Sequence, residues 1–135
     1  MNYFLAKTEP AVYSIEDLRK DVQTIWNGVK NPQAVNFIKQ MKVGDRVLIY
    51  HSGGESAIRG LAEVMSLPRP DELELRSWVV DVKFLQEFGQ PVTLKEIKST
   101  GKFEDFRLVY QSRLSTMSVP EGFVGWLQRS KKLDV

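Results

Sequence analysis

Alternating apolar and polar positions divide this chain into short strands separated by short helices. From Asn2 to Lys7, Tyr3, Leu5 and Lys7 share one face and Phe4 and Ala6 the other, until Glu9-Pro10 ends the ladder. Ser14 reads as the N-cap of a helix over Ile15–Lys20, with Glu16 and Asp17 in its first turn and Arg19-Lys20 in its last. A brief strand over Val22–Trp26 stops at the Asn27-Gly28 turn signal. Asn31-Pro32 then starts a second helix, whose apolar stripe of Ala34, Val35, Ile38 and Met41 ends before Gly44-Asp45.

Arg46–His51 is apolar on both faces, which predicts a central strand ending in Tyr50-His51-Ser52. After the Gly53-Gly54 loop, Ile58–Met65 predicts another strand. Its mid-strand Gly60 and Ala62 call for a tight interior or the close approach of another group. Pro68-Arg69-Pro70-Asp71 breaks the chain into a loop, and Trp78–Leu85 resumes the alternation. Thr93 caps a short helix through Ile97, and Leu108–Tyr110 reads as a short strand or a helical piece. A last strand lies near Met117. A terminal helix over Pro120–Gln128 buries Phe123, Val124 and Leu127.

The helices are too few for a doubly wound sheet. The expected fold is α+β: a bent mixed sheet or barrel of about five to six strands, with short helices outside. With 135 residues, 42% hydrophobic and 27% charged, residues 1–135 are expected to form one domain around one core. No apolar run approaches the roughly 20 residues of a membrane span, and no secretory leader pattern opens the sequence. Cys is absent, which fits a cytoplasmic or nuclear setting. With one His and no Cys, zinc chemistry has no ligand set, and neither a metal nor a cofactor is expected. The net charge of +2 leaves a nucleic-acid partner open, because a local basic face matters more than the total.

The ordered motifs carry more. Lys7-Thr8-Glu9-Pro10 and Ser14-Ile15-Glu16-Asp17-Leu18 come first. Trp26-x-Gly28-Val29-x-Asn31-x-x-Ala34 and Met41-x-x-Gly44-Asp45 lead on to Tyr50-His51-Ser52. Gly60-Leu61-Ala62-Glu63-Val64, Trp78-x-Val80-Asp81-Val82 and Arg113-Leu114-Ser115 complete the set. In this order, and over nearly the whole chain, the pattern resembles the EVE domain, a branch of the PUA-like superfamily. The segment after Met65 is shorter than in members with a long Pro/Asp-rich loop there. The resemblance implies a PUA-like mixed β-barrel. It also implies a nucleic-acid reader, of DNA or RNA, that holds an extruded or modified base such as a modified cytosine in a pocket.

Such a pocket needs a flat apolar wall for stacking and polar groups for the base edge. Trp26 is either a core plug or that wall; the matched motif favours the wall. Trp78 heads an alternating strand face and is read first as core. Asn31 is fully explained as a helix cap, though its amide NH2 remains free to donate. Tyr50, His51 and Ser52 end a buried strand and are candidates for the pocket edge. Lys7 and Glu9 form its opposite edge, and Arg113 is a candidate phosphate contact. Enzyme chemistry finds little support. His51 and Ser52 are adjacent and point to opposite faces of a strand, and no nucleophile elbow or phosphate loop is present. A small enzyme acting on modified nucleosides through Lys7 and Glu9 is the alternative of a different class, and a protein-interaction domain with a vestigial pocket is the third.

Overall fold

A computed structural model describes residues 1–135. Seven strands and five helices follow in the order β1 (Tyr3–Thr8), α1 (Ile15–Asp21), β2 (Gln23–Trp26), α2 (Pro32–Lys39), β3 (Arg46–His51), β4 (Ala57–Val64), β5 (Arg69–Pro70), β6 (Trp78–Thr93), α3 (Leu94–Ser99), α4 (Arg107–Tyr110), β7 (Thr116–Ser118) and α5 (Glu121–Ser130). The local signals explain most boundaries. Ser14 and Asp17 form a reciprocal capping box at α1, and Asn31 Oδ1 accepts from the Gln33 and Ala34 amides at α2. Thr93 caps α3 through the Glu96 amide.

The strands pair in the order β2-β6-β4-β3-β1-β7, with β5 added to β6. All ladders are antiparallel except β1 with β3, where Phe4 sits beside Val47 and Lys7 beside Tyr50. Phe4, Leu5, Ala6 and Val47 through His51 are all buried, as central strands covered on both faces require.

Two expectations need correction. The sheet is open rather than a closed barrel: β2 and β7 end the path, and no ladder joins them. Both end strands are short, and α2 packs against β7 and β6 where closure would have to occur. A helix can fill that space but cannot extend a ladder. Seven strands also replace the expected five to six, because Pro70 takes part in the two-residue β5 and β6 runs on to Thr93. Gly89 and Pro91 lie in β6 where pairing with β4 skips from Glu87 to Val92, so the irregularity absorbs the two strand breakers.

Gly60 shows what the small positions in β4 are for. A Cβ there would lie 2.6 Å from both the Gln86 carbonyl oxygen and Ile15 Cδ1. The close approach comes from the fold itself, where α1 settles onto the bulged β4–β6 ladder. Backbone cannot yield as a flexible side chain does. Gly60→Ala should therefore destabilise the fold by about 1–3 kcal/mol in a denaturant titration, as overpacked cores do.

Candidate functional site

Beside β1 lies a cavity of about 420 Å³, lined by Lys7, Thr8, Val12, Tyr13, Thr24, Ile25, Trp26, Asn27, Gly28, Val29 and Ser115. Trp26 ends β2 and is 9% exposed. Its ring meets that of Tyr13 edge-to-face, with centroids 6.3 Å apart and planes at 83°. Tyr13 is fixed from three directions. Its amide donates to the Glu9 carbonyl, its own carbonyl accepts from Thr8 Oγ1 at 2.7 Å, and its hydroxyl donates to Asp21 Oδ2 at 2.8 Å.

Desolvation is the main force on the Tyr13 phenol, and the Asp21 carboxylate adds to it; together they push its pKa up to about 12. Lys7 supplies the cation of the cavity. Its Nζ donates to the Ser112 carbonyl at 2.8 Å and lies 5.5 Å from the centroid of the Tyr50 ring. Burial pushes the Lys7 pKa down, so its ammonium gains from any further acceptor that enters. Thr24, Asn27 and Ser115 add neutral donors and acceptors, while Val12, Val29 and Trp26 add apolar surface.

Of the residues singled out in the sequence, Lys7 and Trp26 line this cavity and the others sit elsewhere. Tyr50 is buried behind Lys7. His51 is 1% exposed and serves the scaffold: its Nε2 accepts from the Ile15 amide at 3.0 Å, which assigns the ring proton to Nδ1, 3.3 Å from Glu55 Oε2. Burial opposes the charge on Glu55, but hydrogen bonds from Arg59 and His51 outweigh it and hold its pKa below the usual carboxylate range. Ser52 ties the end of β1, its amide and hydroxyl both directed at the Thr8 carbonyl.

The side chain of Glu9 is outside the cavity, and its carbonyl holds the turn that presents Val12 and Tyr13. Asn31 spends its oxygen on the α2 cap. Trp78 borders a separate depression with Lys30, Pro32, Val35 and Lys39, and Lys39 Nζ stands 4.8 Å from its ring centroid. Arg113 is exposed, next to the Ser112 that receives Lys7. Sequence reasoning missed Tyr13, Thr24, Asn27 and Ser115. Tyr13 carries a local signal as an aromatic immediately before a helix cap, Asn27 belongs to the Asn27-Gly28 turn and Ser115 to the Arg113-Leu114-Ser115 motif; Thr24 joins them only through tertiary structure.

An open mixed sheet with short helices packed on it makes this an α+β domain. Residues 2–129 match the model of the EVE domain, and the chain belongs to that family. Human thymocyte nuclear protein 1 is 31% identical over 126 residues, which cover 73% of this chain and 56% of the human protein. The rat protein of the same name is 31% identical over 156 aligned positions, covering 89% and 69%. The chain thus spans little more than half the length of the human relative. Among solved structures, a protein of Agrobacterium tumefaciens matches with a TM-score of 0.90 and 35% identity, covering 98% of this chain and 94% of that one. The human THYN1 protein in complex with 5-methylcytosine containing DNA has the same fold, with a TM-score of 0.88 at 24% identity over 100% of both chains.

The raised Tyr13 pKa has a consequence for stability. A phenol that ionises near 10.0 when unfolded and near 12 when folded stabilises the fold fully below pH 10. That contribution is lost as pH climbs through 12, because between the two values the folded state holds the extra proton. Denaturation midpoints measured across this window should fall less steeply for Tyr13→Phe than for the wild type. The late phenolate absorbance step should disappear with it.

Proposed function

We propose that this chain is a DNA-binding reader that seats one extruded base, a modified cytosine such as 5-methylcytosine, against the wall formed by Tyr13 and Trp26. The carrying observation is the cavity itself, with aromatic walls on one side and Lys7, Thr24, Asn27 and Ser115 on the other. Stacking on an aromatic wall contributes about 1–3 kcal/mol and tolerates any base. Identity must come from the polar groups. Lys7 spends one of its three donors on Ser112, leaving two for acceptors on the base edge. Asn27 offers both a donor and an acceptor, as the mixed edge of cytosine requires. The apolar surface of Val12, Val29 and Trp26 suits an added methyl group.

The human relative solved with 5-methylcytosine-containing DNA gives this reading its nucleic acid and its base. The placement of Glu9 outside the cavity removes support for an enzyme built on a Lys7–Glu9 pair. A reader needs neither a nucleophile nor a metal, only a shaped cavity and a way to hold the strand.

Calorimetric titration with short duplexes and single strands, of DNA and RNA, with and without methylated cytosine, tests the proposal. The expected outcome is saturable binding that is tightest for methylated DNA. Trp26→Ala should remove about 1–3 kcal/mol of that affinity together with the preference. Because Trp26 also packs in the core, Asn27→Ala is the companion variant: Asn27 is exposed, so melting should stay unchanged while the preference falls. Equal affinity of the wild type for methylated and unmethylated strands would refute the base-reading role.

A further inference from the structure

Carboxylates are missing from two stretches of this chain. None occurs from Asn27 to Gly44, which carries Lys30, Lys39 and Lys42, and none from Phe106 to Pro120, which carries Arg107 and Arg113. The fold packs the two stretches together. Gln111 Nε2 donates to Gln33 Oε1 at 2.6 Å, and Arg107 Nη1 donates to Gln111 Oε1 at 3.2 Å. The Arg107 guanidinium also lies 5.6 Å from the centroid of the Phe37 ring. The outcome is a face built from the exposed side of α2 and the α4 segment. Asn36, Gln40 and Tyr110 are exposed on it, with Tyr110 at 55%.

Cations flank this face on both sides. Arg107 and Arg113 stand on one; Lys39, over Trp78, and Lys30 stand on the other. Glu74 approaches it and is engaged by Arg76 and Lys30, at 3.1 and 3.6 Å, while Glu104-Asp105 and Glu121 bound the second stretch, Glu121 bordering the same depression as Gln40. The face is also continuous with the cavity. Val29 lines the cavity and Lys30 follows it, while Ser115 lines the cavity and Ser112 receives Lys7.

We infer that the α2–α4 face is a track for the sugar-phosphate backbone of the DNA strand on either side of the seated base. The inference rests on the base-reading proposal for its partner but assigns a different surface and a different job. Guanidinium and ammonium groups neutralise phosphates. The amides of Gln33, Asn36 and Gln40 donate to phosphate or sugar oxygens without discriminating sequence. Tyr110, between Arg107 and Arg113 in sequence, offers a ring to a sugar or an unpaired base. The lack of carboxylates within the two stretches is what sets this face apart, because one unpaired carboxylate beside a phosphate would cancel the contribution of a cation.

The test is fluorescence anisotropy with methylated and unmethylated versions of one duplex over a range of salt concentrations. The variants are Arg107→Gln, Lys39→Gln and their combination, with Lys95→Gln/Lys98→Gln on α3 as the control away from this face. Each lost phosphate contact should make the slope of log affinity against log salt shallower by about 0.9. The ratio of affinities for the two duplexes should stay as in the wild type, and the α3 pair should leave the slope unchanged. An unchanged slope in the Arg107 and Lys39 variants overturns the track, as does an equal change in the α3 pair. If the wild type shows no methyl preference but its slope falls with Arg107 and Lys39, the base-reading proposal fails and the track stands. Retained preference with an unmoved slope overturns the track and leaves base reading in place.

Discussion

The parallel pairing of β1 with β3 is the constraint from which the rest follows. Antiparallel neighbours can be joined by a tight turn, but parallel ones need a long crossover. Here the crossover contains α1, β2 and α2, and it must leave the end of β1 and return to the start of β3. Val12, Tyr13, Thr24, Ile25, Trp26, Asn27, Gly28 and Val29 all belong to it, and β1 adds Lys7 and Thr8. The cavity is therefore the space that the crossover encloses against the strand it departs from. Its walls come from the connection, and its floor comes from the sheet.

The crossover packs Ile15, Leu18, Trp26, Val29, Ala34, Val35 and Ile38 into the one core, and polar bonds hold it at its ends. His51, at the end of β3, accepts the first free amide of α1 from across the sheet. Ser14 and Asp17 satisfy each other's amides around it, each side chain accepting from the other's N–H. Thr8 and Ser52 knot the ends of the two parallel strands and reach Tyr13. Each of these groups is buried or partly buried, where a lost partner costs about 1–3 kcal/mol. Their positions explain why polar residues cluster at Lys7-Thr8-Glu9 and Tyr50-His51-Ser52 without most of them facing the cavity. They brace the wall from behind.

Legibility follows from the range of the interactions involved. Capping signals at Ser14, Asn31 and Thr93 act within a single turn, and each appears in the fold where the sequence places it. The reach of β6 is hidden in sequence because Gly89 and Pro91 break strands locally, and only the bulged partner β4 accommodates them. The open sheet is equally illegible, since it depends on α2 reaching both β6 and β7. The same limit divides the candidate site. Lys7, Trp26 and Ser115 carry motif information and line the cavity, and Asn27 carries a turn signal, whereas Thr24 acquires a place only through the fold. His51 and Ser52 stand out in sequence as polar groups at a buried strand end, and that polarity is spent on Ile15 and Thr8.

The mild net charge of +2 fits a chain that separates its electrostatics by surface. Acidic residues gather where they hold the scaffold. Glu16, Glu55 and Glu87 surround Arg59, Asp21 restrains Tyr13, and Asp45 closes the turn before β3 through the Asn2 and Lys42 amides. This use of carboxylates leaves the α2–α4 face without any of its own. Long-range attraction for a polyanion is set by such local excess, since charges beyond about 8–10 Å are screened at physiological salt. A weakly basic total thus coexists with two stretches that carry only cations. On the proposed reading, discrimination between bases falls to the polar groups of the cavity, Lys7 among them, where a mismatched edge leaves a polar atom unpaired. Affinity and identity come, on the same reading, from different surfaces, and the Lys7–Ser112 contact joins the segments that carry them.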